Sequence, residues 1–209
     1  MASNPPWTET EIMVKQSELV DAQTDLLSDP HPCRHIVYPY DDEEKAINAV
    51  ALFAGSGLSK GESVVLIMAD SRCEPIKERL AQAGFNLSAW LGSGKLECIS
   101  AENMLERLMP GGALDERLVK DTLGGLITRA KACSLTGKVR VFGEMVSLLL
   151  AQNRVSAAEQ LEELWNQIIA IHSISLFCTY RLLGTGFKTL PESLALMHSH
   201  TLPDCGPIY

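Results

Sequence analysis

The chain has 209 residues, 46% of them hydrophobic and 21% charged, and a formal net charge of −8. That is material for one generous domain and hardly length enough for two. An acidic surface repels phosphate backbones and anionic headgroups, so neither nucleic acid nor a membrane is an expected partner.

The stretch from Met1 to Asp29 lacks the basic-then-apolar order of a signal peptide. The apolar runs Val64 to Met68 and Val146 to Ala151 are too short to span a bilayer, so a cytoplasmic location is expected. Six cysteines, at 33, 73, 98, 133, 178 and 205, form no C-x-x-C pair. They are expected to be free thiols acting as small apolar fillers.

In chain order, Thr8 and Glu11 suggest a capping box for a helix carrying Ile12, Leu19 and Leu26. Those positions are sparse. Residues 1–32 are therefore expected to be an arm that covers a groove or another subunit and is dispensable for folding. Asp29-Pro30-His31-Pro32 breaks the chain, and a βα rhythm follows. His35 to Tyr40 predicts a strand; Asp41 with Glu44 caps a helix with Ala46, Val50, Phe53 and Ala54 on one face. Ser63 to Ala69 is a continuous apolar run, as for a strand buried on both faces of a parallel sheet. Ile76, Leu80 and Ala83 mark a helix ending at Gly84, and Lys95 to Ser100 a third strand. Val119, Leu123, Leu126, Ala130 and Cys133 recur at helical spacing. Val139 to Phe142 predicts a fourth strand. Ser156 with Glu159 reads as a capping box for a helix burying Leu161, Leu164, Trp165 and Ile168. Ile174 to Tyr180 predicts the fifth strand, and a tail rich in Gly, Pro and His runs from Gly184 to Tyr209.

Alternating strands and helices predict an α/β architecture of three layers, a mostly parallel central sheet with helices on both faces. Ligands in such sheets bind beyond the carboxyl ends of the strands. Those ends are Tyr40-Asp41, Ala69-Asp70, Ser100-Ala101, Gly143-Glu144 and Tyr180-Arg181. A phosphate loop is not among them. In Gly55-Ser-Gly-Leu-Ser-Lys60-Gly-Glu-Ser63 the lysine comes one residue early and lacks the Ser or Thr that should follow it. Gly57-Leu-Ser-Lys-Gly-Glu-Ser63 does resemble the turn leading into the P-loop strand of RecA and KaiC proteins. In that register the cradle belongs after Met68, where Ala69-Asp70-Ser71-Arg72-Cys73-Glu74 offers two carboxylates and no glycine. No nucleotide hydrolysis is expected.

Val139-Arg140-Val-Phe-Gly143-Glu144-Met145, Leu161-Glu162-Glu-Leu-Trp165-Asn166 and Leu176-Phe-Cys178-Thr-Tyr180 together resemble the MEDS family. This is a sensory domain of methanogen and methylotroph regulators. His35-Ile-Val-Tyr-Pro-Tyr40 and Met197-His198-Ser-His200-Thr-Leu-Pro203 match its opening and closing segments. The family often has Cys two residues after the opening His, where this chain has Val37. The resemblance implies a RecA/KaiC-like fold over residues 33–204, with residues 205–209 a short tail. It implies signal transduction through a small ligand, such as a hydrocarbon derivative, or through a histidine kinase or transcriptional-regulator partner. Self-association of the chain is a further expected interaction.

Strand-end position and resemblance nominate His35, Tyr40, Asp70, Arg140, Glu144, Cys178, Tyr180 and His200 as ligand-binding residues around one crevice. Arg140 with Glu144 is either a buried pair locking strand to helix or a polar clamp, since a guanidinium fork grips carboxylates. Only His198 and His200 among His35, His198, His200 and Cys178 are close in sequence, so no metal is expected. No catalytic residue or cofactor is assigned. Two other readings stand beside the sensor: a subunit that binds only protein partners, and a degenerate NTPase or hydrolase.

Overall fold

The computed structural model describes residues 21–182 and 189–203. A six-stranded, wholly parallel sheet forms its middle layer, in the order β3-β2-β4-β5-β1-β6. The strands are β1 (His35–Tyr40), β2 (Ser63–Met68), β3 (Leu96–Ser100), β4 (Val139–Gly143), β5 (Ser175–Arg181) and the short edge strand β6 (His200–Thr201). Every residue of β2 and β4 is buried; β2 accordingly reads as an apolar run after Ser63, while β4 carries the buried Arg140 among its apolar residues.

Two cores flank the sheet. On one face lie α1 (Glu43–Ser59), α2 (Asp70–Gln82) and the short α3 (Leu87–Gly92). On the other lie α4 (Ala101–Leu108), α5 (Glu116–Cys133), α6 (Met145–Ala151) and α7 (Val155–His172), with α8 (Glu192–Ala195) contributing Leu194. Period-two alternation divides each strand between them. Ile36, Tyr38 and Tyr40 face the α1 side while Val37 faces the other; Phe177 faces α1 while Leu176, Cys178 and Tyr180 face α7. From β2 the chain moves outward to β3 along the α1 face, then returns to β4 through α5 on the opposite face. The sheet therefore has a topological switch point between β2 and β4, where ligands of such sheets bind.

Several local expectations are corrected. The N-cap of α1 is Asp42, not Asp41; its carboxylate accepts from the Glu44 and Lys45 amides. No capping box forms at Ser156, because α7 starts one residue earlier, at Val155, with Arg154 as its N-cap. Helix α4, which the sequence reading did not anticipate, begins directly where β3 ends, with Ser100 as its cap.

The described end of the arm packs into the domain. Residues 21–28 are helical, Leu27 is fully buried in the α1-side core, and the Gln23 amide donates to the Pro203 carbonyl at 2.7 Å. The proposed Thr8–Glu11 box lies outside the described residues, as do Cys205 and Gly184. Cys33, Cys73, Cys98, Cys133 and Cys178 are free thiols. Among the described residues, no helix is long and apolar enough to cross a membrane.

Candidate functional site

The crevice at the switch point is built by the ends of β1, β2, β4 and β5 and the first turn of α2. Its volume is about 410 Å³, and Tyr40, Glu43, Arg72, Glu144, Ser147 and Arg181 are among its walls. Its centre is an ion pair that the sequence did not announce. Glu144, 3% exposed, stands immediately after β4; its Oε2 accepts the Ala69 amide at 2.8 Å and its Oε1 accepts from Arg72 Nη1. That nitrogen also donates to Thr179 Oγ1 at 3.1 Å and lies 3.3 Å from the Tyr40 hydroxyl. Arg72 Nε sits at ion-pair distance from Glu43 Oε1, 2.8 Å, without forming an aligned hydrogen bond, and Nη2 is buried and has no hydrogen-bond partner. The guanidinium lies over the Tyr40 ring, 5.1 Å from its centre. Burial pushes the Glu144 carboxyl above its ordinary range, against the pull of Arg72 and the Ala69 amide. It likewise raises the Tyr40 phenol, so that group stays protonated and able to donate.

Only part of the expected cluster assembles here. Tyr40 and Glu144 meet through Arg72, and Asp70 stands exposed at the rim, its amide donating to Glu102. Arg140 is absent from it. Its side chain points to the α1 face, where Nε meets Glu62 at 2.5 Å. Its Nη1 donates to the Leu27 and Phe53 carbonyls and its Nη2 to that of Ser28. Arg140 and Tyr180 thus occupy opposite faces of the sheet, which ends the idea of a single crevice holding all the nominated residues. The expected Arg140–Glu144 clamp is replaced by two separate pairs, Arg140–Glu62 and Arg72–Glu144. His200 lies on β6 at the sheet edge, its Nδ1 beside Ser199 Oγ.

His35, Cys178 and Tyr180 gather instead on the α7 face, around Glu162. His35 Nε2 is 3.2 Å from Glu162 Oε2, His198 Nε2 is 3.7 Å from the same oxygen, and Cys178 Sγ is 3.6 Å from His35 Nε2. The Tyr180 hydroxyl donates to Glu162 Oε1. His198 as a residue is partly exposed, yet its side chain is fully buried, and burial lowers its pKa to about 4. Burial drives the Cys178 thiol well above its usual range, with the charges of Glu162 and Glu144 adding to the effect.

Arg72 and Glu162 carried a signal that sequence reading can use. Arg72 lies four and eight residues before Ile76 and Leu80, on the buried face of α2. Glu162 lies between Ala158 and Trp165, on the buried stripe of α7. A charge on an apolar stripe must find a partner inside the protein. A larger, mostly apolar groove of about 620 Å³ runs between α1 and α2 beside Lys60 and Phe85, away from the strand ends. Convergent polar groups, not volume, distinguish a specific site, and they meet in the smaller crevice.

Fold and crevice define a RecA/KaiC-like sheet whose strand-end turns after β1 and β2 hold no glycine and are lined by carboxylates. A KaiC-like protein, PH0186 from the hyperthermophilic archaeon Pyrococcus horikoshii OT3, shares this fold. The TM-score is 0.57 at 12% identity over 81% of this chain and 70% of that one. The chain belongs to the MEthanogen/methylotroph, DcmR Sensory domain family, MEDS, whose pattern matches residues 34–199. No curated protein matches it.

Proposed function

We propose that this chain is a non-catalytic sensory module that binds a small ligand in the crevice between β2 and β4. The ligand would carry a hydrogen-bond acceptor for Arg72 and an apolar body for the crevice wall. The observation behind this reading is Arg72 Nη2, a buried donor without a partner in a concave site at the switch point. A buried guanidinium nitrogen left unsatisfied costs free energy that an incoming carboxylate or carbonyl would recover. Ile47, Pro75, Leu148 and Ala151 supply the apolar wall that a short hydrocarbon derivative needs. Glu144 makes a poor general base, since both of its oxygens are already engaged. Membership of a sensory family agrees with this role.

Thermal-shift measurements with short carboxylates, haloalkanes and nucleotides test the reading. A ligand at 100 times its Kd stabilises by about 2.7 kcal/mol, which is readily measured. The stabilisation should vanish in Arg72→Gln and weaken in Arg181→Gln, a crevice residue outside the buried pair. A ligand that stabilises wild type and both variants equally binds elsewhere and defeats the proposal. A panel without effect favours a subunit that binds only protein partners.

A further inference from the structure

The cluster on the α7 face is independent of the crevice and has a different chemistry. Its four donor atoms are His35 Nε2, Glu162 Oε2, Cys178 Sγ and His198 Nε2, and all lie within 4.8 Å of one another. They arrive from four separate elements: β1, α7, β5 and the segment after α8.

The surrounding hydrogen bonds decide what these atoms present. His198 Nδ1 lies 2.7 Å from the Leu194 carbonyl, which can only accept, so that nitrogen carries the proton. Asn166 Nδ2 donates to the Met197 carbonyl, which leaves its Oδ1 as the acceptor 3.0 Å from His35 Nδ1. With Nδ1 as the donor in each ring, Nε2 is left as the nitrogen that can offer a lone pair, and both Nε2 atoms point inward. Glu162 Oε2 is fully buried and accepts no hydrogen bond, although its other oxygen is held by Tyr180. The lone pairs of two imidazoles and a carboxylate converge on one dry point beside a thiol, and no lysine or arginine reaches it among the described residues.

We propose that this cluster is a binding site for a divalent transition-metal cation of the zinc class, with His35, Glu162, Cys178 and His198 as its four ligands. A tetrahedral zinc site places nitrogen and oxygen ligands about 3.3 Å apart, and nitrogen and sulfur about 3.6 Å apart. The separations in the structure are 3.2 and 3.7 Å for the His–Glu contacts and 3.6 Å for Cys178–His35. A thiolate and a carboxylate neutralise the double charge of the ion, so the buried centre would be electrically balanced. Each imidazole is oriented by an acceptor on its far nitrogen, the usual outer support of a metal-bound histidine. The site is closed, with four protein ligands, which marks it as structural. It would fasten the segment carrying His198, and with it β6, to the sheet.

Metal content of the purified full chain tests this directly. One equivalent of zinc per chain is expected, and Co²⁺ taken up after zinc removal should give a thiolate-to-cobalt charge-transfer band. Cys178→Ser and His198→Ala should lose both signals, while His200→Ala, at the sheet edge, keeps them. Asn166→Ala, which frees the His35 ring and the Met197 carbonyl beside His198 while leaving all four ligands in place, should weaken zinc affinity about 10–100-fold. Should a ligand variant fail to fold, wild type alone still answers: its Tm should fall when zinc is removed by a chelator and recover when Zn²⁺ is added back. A wild-type chain that takes up neither Zn²⁺ nor Co²⁺ at micromolar concentration overturns the proposal. So does undiminished binding by a folded Cys178→Ser, His198→Ala double variant. In either case the cluster would be a buried His–Glu hydrogen-bond pair.

Discussion

Arg140 and Glu144 stand four residues apart and do opposite things. Arg140, 1% exposed, is tied to Glu62 and to three carbonyls from two separate segments. Removing it strands the Glu62 carboxylate in the interior, so Arg140→Ala should cost about 3–5 kcal/mol in urea unfolding. The exposed Arg181→Ala should change stability by no more than about 0.5 kcal/mol. Glu144 shows its environment through pH. With its folded pKa raised above the ordinary 4.5, its contribution is complete below that value and declines as pH rises through the folded one. Glu144→Gln, which cannot ionise, should therefore gain Tm relative to wild type as pH climbs from 4.5 toward neutrality. Parallel curves would mean that Arg72 fully offsets the desolvation.

At the scale of elements, α1 and the helical residues 21–28 are joined through Arg140. A Cβ added at Gly57 would stand 2.7 Å from both Cδ and Nε of that side chain. Alanine improves helix propensity by at most about 1 kcal/mol. Overpacking a locked neighbour costs about 1–3 kcal/mol, so Gly57→Ala should lower the urea midpoint. Leu27→Ala should cost about 2–5 kcal/mol, because the side chain is fully buried against the α1 side. An arm with no part in the core would show almost no change. The sequence pointed to Leu26, which is partly buried against this core, while the fully buried position is its neighbour Leu27.

For the molecule as a whole, the strands were legible because parallel strands with little exposure leave short, mostly apolar runs between helical stretches. Helix α6 was not, since Val146 to Ala151 has no polar face to set its period. Strand order and the facing of each side chain depend on contacts distant in sequence, so residues nominated together were divided between two faces. His35, Cys178 and Tyr180 have one neighbourhood; Tyr40, Arg72 and Glu144 have another. The same architecture bears on nucleotides. Tyr40-Asp41-Asp42-Glu43 and Ala69-Asp70 put carboxylates, not glycines, at the two turns nearest the crevice. ATP turnover with magnesium should remain at the buffer background. Turnover abolished by Asp70→Ala would contradict this.

Strand β5 touches both neighbourhoods, since Thr179 meets Arg72 on one side while Cys178 and Tyr180 meet His35 and Glu162 on the other. In a saturation scan of the strand, position parity should therefore sort the phenotypes. Substitutions at 178 and 180 should form one class, and those at 179 should segregate with Arg72 and Glu144. A double substitution at 178 and 179 would then measure how much each side of a single backbone ribbon registers what happens on the other.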